Sequence, residues 1–333
     1  MKKLLHIAQN KTEKRVWISA FTEELGKIGD LTIIEDAREL PDEECAKRIR
    51  ECNMLITSWS ARSVPVSLAN DRGKLEYICH VNGELRRYIP LELIQAGIPV
   101  TNWGDVPADG IAEGAMVLLL AMVKNLRHRI EVVQGDGWKP PTDYFSGTLK
   151  GLNVGIYGFG VIGKRFVDLL RPFGSVIRIY DPYVAGVPDD CIQVASMEEL
   201  FGQSEAIVVH SGLSDETRGS VTGELLAMLP DDGIVINTAR GGIIQQDALF
   251  AELEKGRLLA GIDVLEPDRL SEGHPAKKWP NAIFTAHSIG KSHRAGQNVL
   301  RPMHQVCLEN LRRHVAGEPL EFMMDVARYQ RST

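Results

Sequence analysis

The sequence predicts an α/β protein built from two doubly wound parallel sheets. Three observations predict it. Short β-rich apolar runs alternate with longer helical stretches, the rhythm of βαβ units. That alternation stops at a Gly/Pro-rich segment near residue 140 and then restarts. Finally, a chain of 333 residues, 44% hydrophobic and 25% charged, has the length and composition for about two soluble domains.

The first series of strands reads "LLHIA", "LTIIE", "MLITS", "YICHV" and "PVTN", ending at residue 102. From Pro107 to about Leu126, "PADGIAEGAMVLLLAMVKNL" is a helix candidate that is apolar nearly all round. Such a helix is buried on several sides, between two domains or against a second subunit. The following "VVQGDGWKPPTDYFSGTLKG" reads as a loop or arm. The second series comprises "LNVGIYG", a helix from about Val161, "SVIRIYD", "EAIVVHSG", "GIVINTA", "LLAGIDVL" and "AIFTAH", six strands that complete one doubly wound domain. The tail "HRAGQNVLRPMHQVCLENLRRHVAG" reads as one long amphipathic helix closed by Gly317, returning to the first domain. The expected division is therefore residues 1–103 with 291–333 as one discontinuous domain and 104–290 as the other, with 107–150 as helix and arm.

Charge and cysteine usage exclude several classes of function. The net charge of −6 comes from 38 basic and 44 acidic residues spread along the chain, with no basic block for a phosphate backbone, so no nucleic-acid partner is expected. Five scattered cysteines without a CxxC pair suggest neither a disulfide framework nor a metal site, and read as reduced thiols of a cytoplasmic protein. No apolar run reaches the roughly 18 residues of a membrane span. The opening "MKKLLHIAQNK" turns polar too early for a signal-peptide core.

The most informative stretch is "VGIYGFGVIGKRFVDLL", which sets Gly158, Gly160 and Gly163 in G-x-G-x-x-G spacing after an apolar strand and at the start of a helix. These glycines serve a tight turn, close backbone approach to a pyrophosphate and close helix–strand packing, while the helix start favours the phosphates. The strand "VIRIYD" ends in Asp181, 18 residues after the last glycine, where a carboxylate can accept from ribose hydroxyls. It would repel a 2′-phosphate, so NAD is expected rather than NADP. The bland alternative is a packing turn with an unrelated surface aspartate. The combination of strand, helix and acid favours a Rossmann dinucleotide site.

Three more strands end in polar residues: "GIVINTARGGII" at Asn237 to Gly241, "GIDVLEPD" in its acids, and "IFTAHSIG" in His287. Ligands in open α/β sheets bind outside the carboxyl ends of the strands, so all three point at the crevice of the glycine loop. Taken individually, His287 could be a satisfied histidine under a loop and Arg240 a surface ion pair. Their shared location favours chemistry.

The order of G-x-G-x-x-G, Asp181, "VVHSGLSDETRG", "INTARGG", "GIDVLEPD" and "FTAHSIG" resembles the D-isomer-specific 2-hydroxyacid dehydrogenase family, over about residues 50 to 315. The resemblance implies a Rossmann NAD-binding domain, a flavodoxin-like substrate domain, a cleft that closes during turnover, and a homodimer formed through 107–150. It implies a catalytic set of Arg240, His287 and an acid. Reduction of a 2-keto acid needs a cation to hold the carboxylate and polarise the carbonyl, which an arginine fork supplies. It also needs a proton donor, and histidine titrates near neutrality. A paired carboxylate would raise the imidazole pKa and fix its orientation. The family's acid, usually Glu, falls on Asp268, one methylene shorter, so a longer contact or a backbone shift is expected. Glu266 is expected to be solvated and Asp263 to lie with the cofactor near the nicotinamide. Further cofactor contacts implied are Val161, Ile162, His210, Ser211, Gly212, Thr217, Thr238 and Ala239, together with Arg240 and His287. No metal is implied.

Relatives hold the substrate carboxylate with backbone amides of a glycine-rich loop, which corresponds here to Asn82 and Gly83 in "CHVNGELRRYIP". Glu84, Arg86 and Arg87 depart from the family's small-residue continuation, which points to an atypical small 2-hydroxy or 2-keto acid. Trp59 is either a pocket residue or a core residue. Gly114, where the family often has His, either enlarges the pocket or changes packing. A rival reading from a different class is a corepressor-like NAD(H) sensor of the same fold, since fold alone does not imply activity. A formate dehydrogenase of the same superfamily is a second rival, disfavoured by "TAHSIG".

Overall fold

The computed structural model describes residues 1–135, 137–138, 146–290 and 298–331. The chain divides into two compact units, Met1–Val106 with His293–Thr333, and Pro107–Ser292.

The first unit is built on β1 (Lys2–Ile7), α1 (Ser19–Ile28), β2 (Gly29–Ile34), α2 (Asp42–Arg50), β3 (Met54–Thr57), β4 (Tyr77–His80), α3 (Leu91–Gln95) and β5 (Val100–Thr101). Its strands are parallel in the order β2-β1-β3-β4-β5. This is the flavodoxin-like order, which reverses between β1 and β3. Period-two alternation fills both faces: Leu4, Met54, Ile56, Tyr77 and Cys79 pack on one side, Leu5, Ile7, Leu55 and Ile78 on the other. α2 carries Asp42, Glu43 and Glu44 in its first turn and Lys47, Arg48 and Arg50 in its last, charges that complement the helix dipole.

The second unit begins with α4 (Ala108–Val123) and α5 (Leu126–Gln134). The sequence suggested one helix reaching Leu126. Instead Asn125 takes a left-handed conformation at φ +47° and starts a separate helix that runs into the expected loop. Residues 136 and 139–145 of the expected arm lie outside the described residues. The sheet follows with β6 (Asn153–Tyr157), α6 (Val161–Leu170), β7 (Val176–Tyr180), β8 (Ile192–Gln193), α7 (Met197–Gly202), β9 (Ala206–Val209), α8 (Gly223–Met228), β10 (Gly233–Asn237), α9 (Gln246–Glu254), β11 (Leu258–Ile262) and β12 (Ala282–Phe284). The order is β12-β11-β10-β9-β6-β7-β8, all parallel, one strand more than the sequence suggested because β8 is only two residues long. Val154, Ile156, Val208 and Ile236 face α4 and α6, whereas Ile207, Val209, Val235 and Ile262 face the opposite core. α6 buries Gly163, Phe166, Val167 and Leu170, an i, i+3, i+4, i+7 stripe. The order reverses between β6 and β9, which fixes where a ligand crevice opens.

The chain returns to the first unit with α10 (Pro302–Ala316) and α11 (Val326–Arg331). Gly317 closes α10 at φ +72°, as expected, but the helix begins at Pro302. Proline is favoured at the first helical position, where its missing N–H costs nothing. Residues 293–297 of the expected long helix lie outside the described residues. Among the described residues no helix is long and apolar enough to cross a membrane.

Among the described residues, four histidines are buried. Burial pushes His6 and His304 down from 6.5 to about 4, and His80 and His210 to about 3. The unfolded chain therefore binds more protons below pH 6.5, so stability is complete above that value and is lost as pH falls toward 4. Replacing His80, whose Nδ1 lies 2.8 Å from Thr57 Oγ1, by Gln removes one such group. Urea midpoints measured from pH 7 to about 4.5 will show a shallower decline for His80→Gln, by about one proton.

Candidate active site

The β6–α6 turn is shaped by what each glycine must avoid. Gly158 sits at φ +97°, and a Cβ there would lie 2.5 Å from the Ser211 backbone nitrogen. A Cβ on Gly163 would lie 2.3 Å from the Gly158 carbonyl oxygen, the close helix–strand contact the spacing predicts. A Cβ on Gly160, by contrast, would meet nothing within 4 Å. Gly160 caps α6 without a side chain, and Val161 is partly exposed, so the helix start faces open space. Asp181, just beyond β7, accepts the Phe159 N–H at 2.7 Å and the Tyr183 N–H at 2.9 Å, which ties the acid to the glycine turn.

Beyond β9, both ring nitrogens of buried His210 lack a hydrogen-bond partner, and Thr238 Oγ1 beyond β10 lacks one too. Burial keeps the His210 ring neutral, pushed down to about 3. Buried polar atoms are normally satisfied. Orphans beside an open helix start and an acid at ribose distance in sequence are what a dinucleotide would complete, so these residues fit NAD. Ser211 and Gly212 enter a loop pinned by Thr217, whose Oγ1 donates to Gly212 O at 2.7 Å and accepts the Ser214 N–H at 2.7 Å. Tyr183 hydrogen-bonds Glu216 in that loop.

Asn237 shapes the turn after β10. Its amide donates to Arg240 O at 2.9 Å, and its Oδ1 accepts the Ala239 N–H at 3.0 Å. Arg240 is half-buried, and its Nη1 donates to Ala239 O at 2.8 Å. The two glycines that follow allow a second chain segment to approach. A Cβ on Gly241 would lie 2.1 Å from the Leu265 carbonyl carbon, and one on Gly242 would strike the Glu266 carboxylate at 2.2 Å.

The segment after β11 therefore lies directly on the arginine turn, and its three acids separate. Glu266 is not simply solvated as expected: Arg218 Nη1 binds its two oxygens at 2.7 and 2.9 Å. Both side chains are about half exposed, so this pair contributes at most ~1 kcal/mol. Asp268 accepts from His287 Nδ1 at 2.6 Å and from the Leu265 N–H at 3.3 Å. The shorter side chain thus makes a full-strength contact, without the lengthening expected for Asp in place of Glu. A carboxylate only accepts, so Nδ1 carries the hydrogen and Nε2 remains for a ligand. Asp263 is buried, and its Oδ1 accepts the Thr285 hydroxyl at 2.6 Å, the Ser288 N–H at 2.8 Å and the Ile289 N–H at 3.1 Å. Its carbonyl accepts the His287 N–H at 2.6 Å.

Ala286 and His287 are both left-handed, at φ +51° and +52°. Gly114 of α4 explains itself here: a Cβ would lie 2.9 Å from Ile289 Cγ2 and 3.1 Å from its carbonyl oxygen, so the glycine serves packing rather than pocket size. Sequence reading marked Asn237 as the polar residue closing an apolar strand but gave it no role, and it passed over Arg218, Thr285 and Ser288, which carried no signal.

In the first unit, buried Asn82 accepts the Trp59 N–H at 3.1 Å, and Gly83 lies against the Trp103 ring, 2.4 Å from where its Cβ would be. Trp59 is 45% exposed and meets Trp103 edge-on, so it is not a core tryptophan. Among the described residues no cluster of three or more His, Cys, Asp or Glu could hold a metal.

The Gly241 contact is testable. A methyl group there collides with backbone rather than with a flexible side chain, so Gly241→Ala displaces the turn carrying Asp268. Displacements near 1 Å cost ~100-fold in rate. We expect kcat/KM to fall at least about tenfold, with a lower Tm by calorimetry.

A sequence model described as "D-isomer specific 2-hydroxyacid dehydrogenase, NAD binding domain" matches residues 116–288. The chain is 31% identical to human "Glyoxylate reductase/hydroxypyruvate reductase" over 235 residues, 69% of this chain and 70% of that protein. It is 29% identical to "Hydroxypyruvate reductase" of Thermotoga maritima over 259 residues, 77% of this chain and 83% of that one. The solved structure of D-2-hydroxyisocaproate dehydrogenase aligns over 97% of this chain and 99% of its own with a TM-score of 0.77 at 20% identity, a likeness of fold. With its glycine loop, acid, arginine turn and Asp–His pair in the order those motifs require, the chain belongs to the D-isomer-specific 2-hydroxyacid dehydrogenase family.

Proposed function

We propose that this protein is an NAD-dependent oxidoreductase that interconverts a small 2-keto acid and its D-2-hydroxy acid, with Arg240, His287 and Asp268 as its catalytic set. The observation that carries this reading is the 2.6 Å contact between His287 Nδ1 and Asp268 Oδ2, made at the carboxyl end of the sheet that carries the glycine loop. NAD(H), when bound, supplies or accepts the hydride at C2 of the substrate. Arg240 holds the substrate carboxylate and polarises the adjacent carbonyl. His287 gives its Nε2 proton to the oxygen that becomes the hydroxyl, and takes it back in the oxidative direction. Asp268 holds the ring in the tautomer and orientation this needs, and stabilises the imidazolium before transfer.

Val161, Ile162 and Gly163 at the start of α6 are assigned to the pyrophosphate and Asp181 to the ribose, which favours NAD over NADP. His210, Ser211, Gly212, Thr217, Thr238 and Ala239 line the remaining cofactor contacts. Asp263 is assigned to this group as well, beside its hold on the His287 turn. Asn82 and Gly83 are assigned to the substrate carboxylate. The names of the relatives favour glyoxylate and hydroxypyruvate as first candidates. Homodimerisation through α4 and α5 is supported by exposed Val117, Leu126, Ile130 and Val133 along those helices. All five cysteines are free thiols, in keeping with a cytoplasmic setting.

The sensor alternative predicts NADH binding without turnover. A panel of glyoxylate, hydroxypyruvate, pyruvate and phenylpyruvate, followed by absorbance with NADH and NADPH, separates the two. We expect oxidation of NADH with at least one acid and a preference over NADPH; binding of NADH without oxidation by any acid would overturn the enzyme reading. The three acids after β11 separate in the same assay. Asp268→Asn will lower kcat by roughly 100-fold, within the range for a disabled general acid. Glu266→Gln will change it less than about threefold, because only an exposed pair is lost.

A further inference from the structure

The first unit contains a cavity that the hydride-transfer reading does not use. It measures about 560 Å³, within the ~300–1,000 Å³ typical of small-molecule sites. Gln9 follows β1, Ala61 to Val66 follow β3, and Arg87 to Pro90 follow β4, so the cavity opens at the carboxyl ends of three neighbouring strands. In the order β2-β1-β3-β4-β5 the direction of winding reverses between β1 and β3. That reversal separates the two flanking loops and leaves a crevice, the position ligands occupy in open α/β sheets.

Its walls are strongly charged. Arg38, Arg62 and Arg87 line it with a single carboxylate, Asp42, leaving a net charge of +2. Arg62 is committed to structure: its side chain is only 14% exposed, it donates to the carbonyls of Leu40 and Ala37, and its Nη2 lies 2.6 Å from Asp42. It neutralises Asp42 and fixes the loop before α2. Arg38 donates one hydrogen bond, to Asn10 Oδ1 at 2.6 Å, and neither Arg38 nor Arg87 pairs with a carboxylate among the described residues. Two arginines therefore line one cavity without a carboxylate partner among the described residues.

The departure "NGELRR" in the sequence now divides into two parts. Arg86 is structural, donating to Tyr329 O at 3.0 Å with its guanidinium 5.9 Å from the Tyr329 ring. Arg87, the next residue, lines the cavity.

We propose that this cavity is a binding site for a small phosphate-type dianion, held by Arg38 and Arg87. A monocarboxylate needs one fork; two unpaired forks around one space match a group with two charges and several oxygens. The site is complete within the first unit, so it stands independently of what the second unit catalyses.

Isothermal titration of the full-length protein with inorganic phosphate tests it, at low ionic strength and with saturating NADH so that the glycine loop is filled. We expect saturable binding that Arg87→Gln and Arg38→Gln each weaken by about tenfold or more, the loss of a charge-assisted bond. Arg48→Gln, which removes an exposed arginine paired with Glu44 outside the cavity, will leave the Kd within about twofold. Unchanged Tm values for the three variants will show that they fold. Absence of saturable binding by the unmodified protein overturns the proposal, as does binding by Arg87→Gln and Arg38→Gln equal to its own. Equal weakening by Arg48→Gln also overturns it, because the attraction would then be diffuse surface charge.

Discussion

The carboxylate of Asp263 is the constraint on which the geometry of the site depends. Two consecutive non-glycine residues, Ala286 and His287, adopt left-handed conformations, each costing ~1–2 kcal/mol. A chain would abandon that turn without compensation. One buried oxygen of Asp263 receives three hydrogen bonds from Thr285, Ser288 and Ile289, and bonds to a charged acceptor contribute ~1.5–3 kcal/mol each. These three bonds offset the strain and hold the turn that delivers the imidazole to Asp268. The aspartate first read as a cofactor contact is thus also the foundation of the histidine.

From that turn the site extends as a series of close backbone approaches. Ile289 lies on Gly114 of α4, while Leu265 lies on Gly241 of the arginine turn. Both glycines sit where a side chain would occupy space needed by a neighbouring segment, and neither has a left-handed φ. Positional accuracy of Arg240, Asp268 and His287 comes from these close approaches, one between two loops and one between a loop and α4. Arg218 adds a further restraint by drawing Glu266 to one side, leaving Asp268 as the acid at the imidazole.

Much of this was legible in the sequence for identifiable reasons. Short, nearly continuous apolar runs revealed both sheets, because a parallel strand covered on both faces needs apolar residues at successive positions. The glycine loop was legible because its spacing encodes three separate steric requirements. The break between α4 and α5 was not, since Asn125 in a left-handed conformation leaves no mark in an otherwise helical pattern. β8 was too short to show a period. The family resemblance named Arg240, Asp268 and His287, but Thr285 and Ser288, which bind Asp263 across more than 20 positions and so fix the histidine turn, are polar residues of common type. Thr285 and Ser288 look like ordinary loop residues until the oxygen that binds them is seen. The same limit applied to Glu266, whose partner Arg218 comes from a different loop.

The fit between Gly114 and Ile289 has a consequence for how this sequence can change. Two residues 175 positions apart share one volume, so neither is free to drift alone. A bulkier side chain at 114 becomes acceptable only after position 289 has been trimmed, and a trimmed 289 beside Gly114 leaves a void next to the histidine. The two positions therefore behave as one volume, so a change that fails at either alone can succeed when both are altered together.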